Sequence, residues 1–103
     1  MTTDRVRPDA CQTMAEVRQG VDRLDEQIVA LIGERFRYMD AAARIKPDRE
    51  AVRDNERKAV VIANARRAAA RHGVPDAVIA ELWERLVEGS IAYEFDVYDE
   101  TRA

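Results

Sequence analysis

From Met14 onward, apolar side chains recur at Met14, Val17, Val21, Leu24, Ile28 and Leu31, in alternating steps of three and four. That spacing places them on one face of an α-helix, as a narrow seam of the kind that lies against another helix. No proline intervenes before Pro47, and Gly20 and Gly33 each cost about 1 kcal/mol against alanine, which a long helix tolerates. Thr13, with Glu16 three residues on, has the form of a capping box. A first helix is therefore predicted from 13 to 46, after a loose polar arm at residues 1–11.

Pro47 to Arg53 reads as a short polar connection. Asp54 suits the N-cap of a second helix that runs to His72, with Gly73 at the C′ position. Pro75 and Asp76 open a third helix, whose stripe is Ile79, Leu82, Trp83, Leu86, Val87, Ser90, Ile91, Glu94, Val97 and Tyr98. No segment alternates as a strand would, and there are no repeats. The fold class is all-α: a three-helix subunit with a long first helix and short links, in a helical domain spanning 12–100.

A first helix of that length extends roughly 50 Å, whereas a compact domain of this size has a radius of gyration of about 13 Å. It would project from its own subunit and leave its seam in water. A second copy alongside removes that exposure, so the expected assembly is an intertwined homodimer.

Composition narrows the function. The 103 residues carry a net charge of −3, with 47 % hydrophobic and 36 % charged side chains. Such a chain is too apolar for disorder and has no global attraction for nucleic acid or an acidic membrane surface. One cysteine, Cys11, and one histidine, His72, supply no metal-ligand set and no internal disulfide. The longest aliphatic run, Ala59–Ala63, is far too short to span a bilayer, and the N-terminus does not resemble a signal peptide. The expected location is cytoplasmic. The Arg66, Arg67 and Arg71 group on the second helix reads as a solvated face rather than a nucleic-acid footprint.

The informative residues break the apolar pattern. After Leu31 the next seam position holds Arg35, and Lys46 lies three turns further along the same face. The two cations are roughly 16 Å apart along the axis and could bend toward one point over Ala42. Both could equally lie along the helix edge and cover apolar surface. On the third helix Ser90 and Glu94 occupy core positions, and a buried carboxylate needs a cation, a proton or a function. Pairing with Arg35 or Arg57 would satisfy it without catalysis. Asp54 is explained by capping alone, and Arg18 and Asp25 by a solvated flank of the seam.

These residues have a familiar arrangement. The segment Met14-Ala-Glu-Val-Arg18-Gln-Gly-Val-Asp-Arg-Leu-Asp25 continuing to Arg35, then Lys46, Asp54-Asn-Glu-Arg57 and Glu88-Gly-Ser90-Ile-Ala-Tyr-Glu94, resembles the all-helical (type II) chorismate mutases. It is also similar to their relatives, the isochorismate-pyruvate lyases. The resemblance covers residues 11–98 and rests on four cations at family spacing. It implies an intertwined dimer with two active sites and no cofactor or metal. It further implies that Arg35 and Arg57 hold one carboxylate of a small dicarboxylate substrate, while Arg18, supplied across the interface, holds the other. Lys46 would bind a carboxylate and the ether oxygen of the breaking C–O bond, with Asp54 supporting a hydroxyl or orienting a cation and Ser90 at the pocket wall. Glu94 stands where the family commonly has a glutamine that donates to that ether oxygen. Lys46, Glu94 and Arg35 are thus the expected catalytic residues.

Two positions depart from the mutase pattern. Glu94 must be protonated to donate as glutamine does. Lys58 follows Arg57 where bacterial mutases commonly have a glutamate for the ring hydroxyl, and Glu56 faces another direction. The spacing from Lys46 to Arg57 is more like the lyases, and the Glu88-Gly-Ser90 context more like the mutases. The first reading is chorismate to prephenate; the alternatives are isochorismate-pyruvate lyase and a helical dimer module that kept the cage without turnover. A helix-turn-helix DNA-binding reading of the second and third helices fits the net charge poorly.

Overall fold

The computed structural model describes residues 6–103. Among these residues there are three α-helices and no strand: α1, Met14–Ile45; α2, Asn55–His72; and α3, Asp76–Thr101. Two short 3-10 turns, Pro8–Ala10 and Arg49–Val52, precede α1 and α2. The first falls in the arm expected to be loose, where Pro8 fixes the opening backbone angle of the turn. Residues 1–5 of that arm lie outside the described residues. No helix among the described residues is long and apolar enough to cross a membrane.

The local signals act as the side-chain chemistry dictates. Thr13 Oγ1 accepts from the Glu16 N–H at 3.2 Å, and Glu16 Oε1 accepts from the Gln12 and Thr13 N–H groups at 2.8 and 3.1 Å. The amide of Gln12, then that of Thr13, holds the Glu16 carboxyl below its ordinary pKa. Asp54 accepts from the Arg57 N–H at 3.0 Å and caps α2. Gly73 ends α2 at φ +70, a left-handed conformation in which a Cβ is strained.

The chain forms two compact units, one ending at Arg37 and one from Tyr38 to Ala103; α1 contributes to both. In the first unit the seam residues Met14, Val17, Val21, Leu24, Ile28 and Leu31 are 38–65 % exposed. A cleft of about 160 Å³ beside them is lined by Val6, Pro8, Cys11, Val17, Val21 and Leu24.

In the second unit, Ala43, Val52, Val87, Ile91 and Tyr98 form the core, with Val61, Ile62, Trp83, Phe95 and Val97 packed around it. Two sequence expectations shift here. The connection before α2 is not uniformly polar, because the 3-10 turn carries Val52 into the core; Asp48 caps that turn by accepting from the Ala51 N–H at 3.0 Å. Leu82, on the predicted α3 stripe, is half exposed, while Trp83 and Val87 of the same helix pack into the core.

Candidate active site

Three elements of the second unit bring polar groups to its core. α1 ends at Ile45, so the Lys46 side chain departs from the helix terminus, and its N–H closes the last turn on the Ala42 carbonyl at 2.9 Å. α3 carries Glu94 inward, one turn after Ser90; each is only 3 % exposed. The Lys46 Nζ lies 2.8 Å from Glu94 Oε2 and 3.4 Å from the Val52 carbonyl.

The Lys46–Glu94 contact is ionic but poorly aligned. Glu94 Oε2 is fully enclosed, yet among the described residues no donor, the Lys46 ammonium included, meets it in hydrogen-bond geometry. A carboxylate oxygen in that position keeps lone-pair capacity unused, which a buried group rarely does. The cation sits toward solvent, with 28 % of its side chain exposed against 4 % for Glu94. Charge therefore runs inward from a wet ammonium to a dry carboxyl. Such pairs add little to stability beyond what apolar side chains of similar volume would give. Their presence in a small apolar core is better matched to chemistry.

The remaining sequence-selected residues divide between the two units. Ser90 Oγ donates to the Leu86 carbonyl at 2.7 Å, an intrahelical bond that satisfies a buried hydroxyl. Asp54 and Arg57 are exposed at the start of α2, where Asp54 is engaged as the cap. Arg35 is half-buried and Arg18 exposed, both on the portion of α1 in the first unit. The cation that reaches Glu94 is thus Lys46, and not Arg57 of the same unit. Among the described residues no cluster of metal-ligating side chains occurs.

An ionic network that sequence reasoning overlooked holds the α2 entrance to α3. Arg53 forks onto Glu88 at 2.7 and 3.2 Å, and Lys58 meets Glu88 at 2.6 Å and Glu84 at 2.8 Å. The Arg53 and Lys58 hydrogen bonds hold the Glu88 carboxyl at about 2, well below its ordinary 4.5. Glu84, then Glu88, raises the Lys58 pKa. The clue was present: Glu84 and Glu88, one turn apart, present two carboxylates on one side of α3. Lys58, which takes the place of a glutamate in the mutase pattern, is therefore engaged by two carboxylates.

Arg66, one of the arginines read as solvated face, forks onto Asp76 at 2.9 Å through each of two nitrogens and fastens α2 to the start of α3. Arg67 bonds Asn64. Both are outward-facing contacts.

Comparison with known proteins adds to this geometry. The family model for chorismate mutase type II matches residues 17–95. Isochorismate pyruvate lyase of Pseudomonas aeruginosa is 30 % identical over 95 residues, an alignment that covers 92 % of this chain and 94 % of that protein.

Proposed function

This chain belongs to the type II chorismate mutase family, and from that membership we propose that it is an enzyme converting chorismate to prephenate. The observation that carries the reading is the Lys46–Glu94 pair, a cation and a carboxyl meeting where the core would otherwise be apolar. Residues 12–100 form the catalytic domain, and the substrate is a small dicarboxylate.

The reaction needs no covalent partner from the protein. The ether C–O bond breaks as a C–C bond forms between the enolpyruvyl methylene and the ring, in one cyclic rearrangement. What the protein supplies is a folded substrate conformation and stabilisation of charge on the ether oxygen as the bond breaks. Arg35 and Arg57 hold one carboxylate and its surroundings, and Arg18 from a second copy holds the other. Arginine forks suit planar carboxylates. Lys46 directs its ammonium to a carboxylate and to the ether oxygen, and Glu94 is the donor to that same oxygen when it carries a proton in place of its ionic contact with Lys46. Asp54 supports a hydroxyl from the α2 terminus, and Ser90 forms part of the wall.

Exposure supports the dimer. Six apolar residues on one face of α1, each at least 38 % exposed, form a stripe that a second copy of α1 would cover.

A second reading, cleavage of isochorismate to salicylate and pyruvate, is favoured by two observations. The similarity to the Pseudomonas aeruginosa lyase spans nearly both chains, and Lys58 is bound to Glu84 and Glu88. The same cage serves both reactions, since each breaks the same kind of ether bond in a dianion.

Incubating the purified protein separately with chorismate and isochorismate separates the readings. Prephenate from the first supports the mutase, and salicylate with pyruvate from the second supports the lyase. Arg35→Ala is expected to lower either rate by at least a hundredfold, because a charge-assisted contact to substrate is worth roughly 3 kcal/mol. Unchanged turnover in that variant would remove Arg35 from the site, and turnover of neither substrate by the parent protein would reject the enzyme reading.

A further inference from the structure

An α-helix leaves its last carbonyls without amide partners. At the end of α1 two of them, and the carbonyl of the next residue, Lys46, are met by one side chain from the residue that follows α3. Arg102, the residue after α3, donates from Nη1 to the Ala43 carbonyl at 3.0 Å and from Nη2 to the Lys46 carbonyl at 3.1 Å. The Arg44 carbonyl lies 3.5 Å from the same Nη2, and Thr101 Oγ1 is 3.3 Å from Nη1. The guanidinium stacks 3.7 Å from the centre of the Tyr98 ring, which is itself buried in the core. A planar cation on a fixed ring therefore spans the helix terminus, where positive charge also opposes the negative end of the helix dipole.

One of those carbonyls belongs to Lys46. Its N–H is held by Ala42 and its carbonyl by Arg102, so the backbone from which the ammonium departs is fixed on both sides. We propose that Arg102 is a positioning residue, which sets the place of the Lys46 ammonium beside Glu94 by clamping the end of α1. The catalytic consequence rests on Lys46 being the site cation; the clamp itself does not. The fork matters as much as the charge, because a lysine ammonium is a point charge without the planar reach of a guanidinium.

Arg49 provides an internal control. It also ties a neighbouring segment to α3, through a two-point contact with Asp99 at 2.8 and 3.1 Å and a position over the Phe95 ring. The carbonyls of α1 are not among those contacts. Arg102→Gln, Arg102→Lys and Arg49→Gln would be compared by kcat and KM, and by the NMR signal of the Lys46 ε-methylene in protein with ¹³C-labelled lysine. Arg102→Gln is expected to shift the Lys46 signal and lower kcat roughly tenfold, as a displaced catalytic group does. Arg102→Lys, the milder change, should shift the same signal in the same direction. Arg49→Gln should leave the signal and kcat at parent values. An unmoved Lys46 signal in both Arg102 variants would overturn the proposal, as would an equal shift in Arg49→Gln. Should the parent protein turn over neither substrate, the functional reading fails, while the NMR comparison still decides the clamp.

Discussion

Glu94 and Lys46 are the residues on which chemistry and stability pull apart. Removing only the cation leaves a carboxylate that is 3 % exposed without a counter-charge. Lys46→Met should lower stability by roughly 2 kcal/mol, less than for a wholly dry pair because part of Lys46 is in water. Replacing both residues with methionine should restore stability to the parent value or above while leaving no activity. Urea unfolding of the parent, single and double variants measures this, and a double variant less stable than Lys46→Met would show that the pair is structural. The second residue-scale prediction concerns the donor at position 94. A glutamine amide carries the hydrogen that such a donor needs, so Glu94→Gln should retain turnover, and loss of turnover in that variant would dismiss the donor role. The anomaly at Glu94 was legible in the sequence, because a carboxylate interrupts an apolar stripe. Its partner was not: the pattern offered Arg35 or Arg57, and it is the point where α1 ends that brings Lys46 to Glu94 instead.

Whole helices were more legible than their connections. The predicted spans of 13–46 and 54–72 agree with α1 and α2 to within a residue at each end, because capping groups at Thr13, Asp54 and Gly73 mark them physically. The segment before α2 was harder to read. A lone Val52 among polar neighbours carries no periodicity, yet a single 3-10 turn puts it in the core. Arg102 gave even less signal, since a charged residue past the last apolar position looks like a solvated end. The α2–α3 ionic network makes a prediction at this scale. Arg53 and Lys58 lower the folded-state pKa of Glu88 to about 2 from an ordinary 4.5, so its ionisation favours the folded state. That contribution is complete above the ordinary value and is lost as pH falls toward about 2. The stability difference between parent and Glu88→Gln should therefore be widest near neutrality and close progressively below pH 4.5. A difference independent of pH would mean that the network contributes nothing through its charge.

For the molecule as a whole, the small core and the exposed α1 seam belong together. The second unit gathers a handful of buried residues, while the seam of the first leaves six apolar side chains substantially in water. Sequence reasoning expected the second copy from helix length and from the seam left in water, and the exposed seam supports that expectation. An account in which Arg18 of one copy completes the site of another makes a stoichiometric prediction that ordinary substitution does not. On the proposed arrangement, Arg18→Ala and Lys46→Ala should each disable every site in their own homodimers. In a mixed dimer, one site takes its arginine from the Lys46→Ala chain and its lysine from the Arg18→Ala chain, and so is intact. The most direct measurement is the activity of these two inactive variants after they are unfolded together in equal amounts and refolded. Random pairing puts half the dimers in the mixed form with one working site of two, so about one quarter of the parent activity should return. Mixed dimers that form yet remain inactive would contradict the shared site.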